Sequence, residues 1–265
     1  MQHVMLLMML AAAPLAAQQP SDSSTSFHWN GPIAAGRWVR VRNLSGAVRV
    51  QSGSQLRIDA EKRGHGNPAD VRIVLRRTGA DNGDVLVCAL WGSDNESSCD
   101  EHGYHSHSHH RDYDSDDDRV SVAFTITLPA GVNVVAQTVN GAVGVEGATA
   151  EVEASTVNGS VSATTAGGPV HASTVNGDVQ VRMATTGNAG KLDYSTVNGS
   201  ITVYLPSKLD AEIDVSTVNG SVHSDYPITI EGRIDPRHLH GTIGAGGLRI
   251  EASTVNGAIE LRRAG

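Results

Sequence analysis

Apolar and polar residues alternate along most of the chain from residue 39 onward. Val39 and Val41, Val48 and Val50, Val71, Ile73 and Leu75, Val85 and Val87, then Val120, Val122, Phe124, Ile126 and Leu128 each mark such a run. Period-two alternation predicts strands with one buried face. No stretch after residue 17 carries the 3.6-residue spacing of an amphipathic helix. In the second half the runs flank a recurring phrase: in one copy Val152 and Ala154 lead in, and Val161 and Ala163 lead out.

That phrase is Ser-Thr-Val-Asn-Gly, at Ser155 to Gly159, Ser173 to Gly177, Ser195 to Gly199, Ser216 to Gly220 and Ser253 to Gly257, with Gln137 in place of serine in the first copy. Its turn residues are Asn140, Gly141, Asn158, Gly159, Asn176, Gly177, Asn198, Gly199, Asn219, Gly220, Asn256 and Gly257. The asparagines are 18, 18, 22, 21 and 37 residues apart. Self-similarity near 20 residues marks a repeat architecture. The long last step predicts a degenerate copy around His238-Leu239-His240-Gly241, and Asn43-Leu44-Ser45-Gly46 reads as a divergent one.

Asn-Gly tolerates positive φ and therefore a sharp turn. Two architectures compete. A two-residue turn between alternating strands is the hairpin signal, which would give an antiparallel sheet. The other is a β-solenoid, an all-β, single-stranded parallel β-helix with rungs of about 18–22 residues. The repeat is too short for a propeller blade of roughly 40 residues, and all five letters recur rather than the turn alone. Parallel stacking also sets Asn over Asn, Thr over Thr and Val over Val, with amides bonded along the axis as in cross-β assemblies. The solenoid is the adopted reading and the hairpin sheet its alternative. Its narrow interior would be filled by Val, Ala, Ile and Thr, in keeping with only 4% aromatic residues, and Val157 and Val197 are expected to face inward.

The expected organisation is a signal segment at 1–17, a polar linker at 18–30, an irregular solenoid or cap region at 31–128, and regular repeats at 129–265. The first of these holds an apolar run from Val4 to Ala17, too short to span a bilayer and typical of a secretory signal. The protein is accordingly expected to be exported, to the periplasm or cell surface. Glu260, Arg262 and Arg263 are expected to blunt the exposed edge of a final rung.

The formal net charge is −8. A His/Asp-rich loop at 92–119 accounts for nearly all of it: from Asp94 to Arg119 nine acidic residues and two arginines give −7, leaving −1 elsewhere. The repeats therefore have no basic patch for nucleic acid. The loop also holds His102, His105, His107, His109 and His110, followed by Asp112, Asp114 and Asp116. Clustered imidazoles and carboxylates suit Zn²⁺ or Ni²⁺, but the spacing matches no defined site, and a solvated insertion is the plainer reading. The aspartates fail as a calcium loop, since Asp117 stands where glycine is required and Ala123 where the bidentate glutamate belongs. No other cofactor is indicated. Cys88 and Cys99, the only cysteines, are expected to form a disulfide in an exported protein.

No catalytic residue is assigned. The chain lacks the metalloprotease, nucleophile-elbow and dinucleotide motifs. Asp193, Asp210, Asp214 and Asp225 have no paired spacing for glycoside chemistry, and they read as solvated strand or turn positions, as do His171 and His223.

The Thr-Val-Asn-Gly turns at 138–141, 156–159, 174–177, 196–199, 217–220 and 254–257, the lead-in from Phe124 through Leu128-Pro129-Ala130-Gly131 to Val132, and a cysteine strand followed by a polar insert together resemble the bacterial putative-adhesin family of exported β-solenoid domains. The likeness runs from about Val39 onward and leaves out the His/Asp stretch. It implies a β-helix, right-handed or at least single-stranded, in a cell-envelope setting, with no catalytic residue. The expected function is a non-enzymatic adhesin or envelope scaffold whose partner is an envelope polymer, surface glycan or protein. A periplasmic metal-binding protein and a glycan-active β-helix enzyme are the alternatives.

Overall fold

The protein is described by a computed structural model covering residues 21–22, 25–92, 97–106, 120–187, 189–230, 235 and 237–264. The signal segment lies outside the described residues, as do His107, His109, His110, Asp112, Asp114 and Asp116.

The first part of the chain forms β1 (Ser21–Asp22), β2 (Ser26–Gly31), β3 (Trp38–Arg42), β4 (Val48–Gly53), β5 (Leu56–Arg63), β6 (Val71–Thr78) and β7 (Asp84–Trp91). A short hairpin, β8 (Ser97–Cys99) with β9 (Tyr104–Ser106), precedes β10 (Ser121–Pro129). The repeats then supply strands in pairs: β11 (Asn133–Gln137) and β12 (Val143–Ala148), β13 (Val152–Ser155) and β14 (Val161–Thr165), β15 (Val170–Ser173) and β16 (Val179–Met183), β17 (Lys191–Ser195) and β18 (Ile201–Leu205). After them come β19 (Ala211–Asn219), β20 (Val222–Ser224), β21 (His238–Ile243), β22 (Leu248–Asn256) and β23 (Ile259–Arg263).

Each repeat gives one strand to a ten-stranded sheet, turns at Asn-Gly, and gives the next strand to an eleven-stranded sheet. The pairing between repeats is parallel and in register: Val134 lies beside Val152 and Val152 beside Val170 in one sheet, and Val143, Val161, Val179, Ile201 and Ile259 line up in the other. The solenoid is thus the architecture of the repeats, and hairpin pairing is confined to the two ends. The core lies between the sheets. Alternation along β14 and β16 puts Val161, Ala163, Val179 and Val181 at 1% exposure or less. Burying each valine stabilises by on the order of 1.5 kcal/mol.

Stacking order departs from chain order at both ends. In the ten-stranded sheet β22 lies between β17 and β19, and in the eleven-stranded sheet β23 lies between β18 and β20. The layer made by residues 248–263 is therefore slotted between two layers that precede it in sequence. At the other end β7 and β10 form the layer outside β3 and β4, so that the chain returns over β3 and β4 to begin β11.

Four expectations need correction. Glu260, Arg262 and Arg263 sit on an internal strand, because β23 is paired on both sides. The degenerate repeat expected in the 37-residue step does not lie at His238 to Gly241, which belong to β21 and run antiparallel to β19. The polar linker carries β1 and β2, since Phe27 and Trp29 are buried in β2 against β5, where two aromatics at alternate positions outweigh the polar residues between them. Finally, the 92–119 loop contains the β8–β9 hairpin, held by the Cys88–Cys99 disulfide. That hairpin covers Leu86, Cys88 and Leu90 on the outer side of β7, which explains a strand buried on both faces.

Candidate functional site on the outer face of the ten-stranded sheet

The repeat corner shows why its five letters recur. Each asparagine amide donates to the preceding layer: Asn158 to Asn140 at 2.8 Å, Asn176 to Asn158 at 2.9 Å, Asn198 to Asn176, Asn256 to Asn198 and Asn219 to Asn256 at 2.8 Å. Each threonine is buried and its hydroxyl donates to a glycine carbonyl of the neighbouring layer, as Thr174 does to Gly159 at 2.8 Å and Thr196 to Gly177 at 2.9 Å. The glycines are required by close approach, since a Cβ on Gly159 would lie 2.2 Å from the Gly141 carbonyl oxygen. None of these asparagines has positive φ; among the described non-glycine residues only Asn82 does. The asparagine is therefore a ladder residue rather than a left-handed turn residue.

The valines point the other way from expectation. Val157, Val175, Val197 and Val255 are 37–39% exposed and Val218 is 56% exposed, while the threonine before each is buried. At the corner the inward place belongs to a threonine whose hydroxyl meets a carbonyl, and the next residue must then face solvent.

The same register builds ladders on the outer face of the ten-stranded sheet. Ser155 and Ser173 continue through Ser195, Ser253 and Ser216, with Gln137 and Arg42 extending the line toward β3. Two residues earlier on the same strands, Glu153, His171, Asp193, Glu251 and Asp214 form a second column. From β11 to β19 the ladders span about 24 Å, at ~4.8 Å per strand. Between them lies an open depression of about 490 Å³, lined by Arg42, His102, Glu153, Ser155, His171 and Asp193 among others. A smaller one of about 240 Å³ adjoins Asp193, Glu251 and Asp214.

Stacked carboxylates repel, and the column brings its own cations. The Lys191 amine lies 2.8 Å from Glu251 and 3.0 Å from Asp193, Arg249 lies 2.8 Å from Glu251, and His238 lies 2.9 Å from Asp214. Glu251 and Asp193 together raise the Lys191 amine above its ordinary value. Of the aspartates considered for glycoside chemistry, Asp193 and Asp214 share this face. Asp210 accepts instead from the Ala245 amide at 2.8 Å, and Asp225 sits beside Arg262 and the Arg263 amide on the other sheet. His223 is exposed and lies 3.4 Å from Asp225, whereas His171 is half-buried and lines the larger depression.

Of the candidate metal ligands, His102 and His105 are described. Asp100 accepts from the His102 and Gly103 amides and lies 3.1 Å from the His105 ring, and these bonds hold its carboxyl down at about 2. Among the described residues no group of three or more His, Cys, Asp or Glu side chains is arranged to hold a metal ion.

Sequence reading missed Arg42, Gln137 and Glu153 as members of one face. The available signal was positional: each stands at an outward position on a strand that enters a repeat corner.

A two-sheet stack of parallel rungs carrying ladders on an open face defines a β-solenoid surface module. Residues 109–262 match the family described as Toastrack DUF4097, and the chain belongs to that family. This agrees with the resemblance drawn from the Thr-Val-Asn-Gly turns. Over 93% of its length the chain is similar to a putative cell adhesion protein from Clostridium sporogenes, covering 100% of that chain at 12% identity with a TM-score of 0.43. A putative adhesin from Bacteroides fragilis aligns over 91% of this chain and 98% of its own, at 11% identity and a TM-score of 0.32. The comparison with curated proteins gives no match.

Proposed function

We propose that the protein is an exported, non-enzymatic binding module of adhesin type, which engages an extended envelope polymer across the outer face of the ten-stranded sheet. The observation that carries this is the in-register serine ladder, which repeats one hydroxyl across successive strands beside a mostly acidic column over an open depression. A repeating surface suits a repeating ligand, because each unit along the polymer meets the same serine hydroxyl. The apolar run at 4–17 and the Cys88–Cys99 disulfide support export to an oxidising compartment. Among the described residues no helix is long and apolar enough to cross a membrane.

The test is binding of the mature protein to whole cells, isolated envelope material and a glycan array. Saturable binding is expected, and Ser173→Arg with Ser195→Arg, which crowd the face without touching the core, should abolish it. Absence of binding to all three, or full binding by the crowded variant, would overturn the reading.

A further inference from the structure

Arg42 ends β3 at the head of the serine ladder and is only 7% exposed. Its Nη1 donates to Gln137 Oε1 at 2.6 Å and its Nη2 to the Glu101 carbonyl at 2.7 Å, while its Nε is buried without a partner. Both acceptors are neutral. Arg40, two residues earlier, shows the contrast, with Asp84 Oδ2 2.9 Å from its Nη1. Among the described residues no carboxylate stands at ion-pair distance from Arg42. A buried charge without a counter-ion is costly, and this one lines the larger depression. Burial, and then the nearby Arg40, lower the pKa of the guanidinium, and the charges of Glu153 and Asp100, both beyond ion-pair distance, oppose this without reversing it.

We propose that Arg42 is the anchor for the carboxylate of an acidic sugar that ends an otherwise neutral glycan chain, whose following residues lie along the serine ladder. This rests on the reading of the outer face as the binding surface and names its ligand class. A carboxylate supplies the missing counter-ion and pairs strongly with a guanidinium. Beyond it, Ser155 and Ser173 offer hydroxyls at roughly 4.8 Å steps, and Glu153 and Asp193 accept from the donor pair of a vicinal diol. Those same carboxylates disfavour a polyanion, so the charge belongs to one end group and not to every unit. No Phe, Trp or Tyr lines the depression, whose only rings are the imidazoles of His102 and His171. Stacking therefore contributes little, and the charged anchor decides affinity.

The experiment is calorimetric titration of the mature protein with three probes: a neutral oligosaccharide ending in glucuronic acid, the same chain with that carboxylate reduced to the alcohol, and a sialic acid-terminated lactose. At least one acid-terminated chain is expected to bind tenfold or more tightly than the reduced chain. Arg42→Gln should erase that difference, bringing the acid-terminated chain down to the affinity of the reduced chain. Because Arg42 also holds Gln137 and the β8–β9 hairpin, its variant is first checked by thermal melting. Should it fail to fold, Ser155→Asp, a surface change, should weaken the acid-terminated chain more than the reduced chain and so shrink the difference between them. Equal affinity for acidic and reduced chains, or a difference that survives Arg42→Gln or is undiminished by Ser155→Asp, would overturn the proposal. Binding of envelope material but of none of these probes overturns the ligand class and leaves the binding face standing. Failure to bind anything removes both.

Discussion

The side-chain amide of Asn256 donates to Asn198 Oδ1 at 2.8 Å across 58 residues of sequence, and Asn219 donates to Asn256 in the same sense. The ladder thus follows spatial order, not chain order, and all its donors point one way. A row of aligned amides polarises each member, so a break in the middle is felt on both sides.

Asn176→Asp removes the donor to Asn158 and sets a carboxylate 2.9 Å from its oxygen. The expected cost is about 1 kcal/mol for an exposed hydrogen bond. In a domain of this size that corresponds to a melting temperature lower by roughly 2–4 °C. Differential scanning calorimetry reads it, and an unchanged transition would mean that the ladder adds no net stability.

Thr174 and Val175 make a directional pair. Thr174→Val leaves the buried Gly159 carbonyl without its donor and should cost about 1–2 kcal/mol. Val175→Ser and Val197→Asp lie on the exposed ridge and should stay within about 0.5 kcal/mol. Urea denaturation of the three variants reverses or sustains this ranking.

Gly159→Ala drives a Cβ into the Gly141 backbone and should cost about 3 kcal/mol or more, read as lost soluble yield. Gly144, on β12, has no atom within 4 Å of where its Cβ would be, so Gly144→Ala should express and melt like the parent.

The disulfide closes a short loop and pins the β8–β9 hairpin over Leu86 and Leu90. Cys88→Ser with Cys99→Ser should cost about 2–4 kcal/mol. Faster amide exchange is expected first in residues 86–90 and 97–105, ahead of the repeats.

Asp100 has a folded-state pKa of about 2, below its ordinary 3.8, chiefly through the His102 amide and then the His105 ring. A depressed carboxylate stabilises the fold above its unfolded pKa, and that contribution is lost as pH falls through the folded value. Melting temperature should therefore decline between pH 4 and pH 2, and less steeply in Asp100→Asn. Lys191 works in the opposite sense: its raised pKa gives stability that is complete below about 10.5 and is lost at still higher pH.

The repeats were legible because a parallel stack turns each recurring letter into a contact with its own copy. Thr174 could be placed near the core by residue type, but which of Thr174 and Val175 turns inward depends on how the corner bends. Valine is the more apolar, yet the corner needs a hydroxyl beside the Gly159 carbonyl, a requirement visible only once the neighbouring layer is in place. Arg42 escaped notice for a related reason. It is held by Gln137 on β11 and by the Glu101 carbonyl in the turn between β8 and β9, both distant in sequence. The antiparallel end strands, such as β21, carry no repeated phrase and left only an irregular interval between Asn219 and Asn256.

The slotted layer has a consequence for the order of events on the ribosome. Residues 211–224 emerge before residues 248–263, yet in the finished stack β19 reaches β17 only through β22, and β20 reaches β18 only through β23. A simple solenoid can add turns one at a time as the chain lengthens. Here the last two turns must wait for each other and close together, so that this end behaves as a clasp rather than as a growing tip.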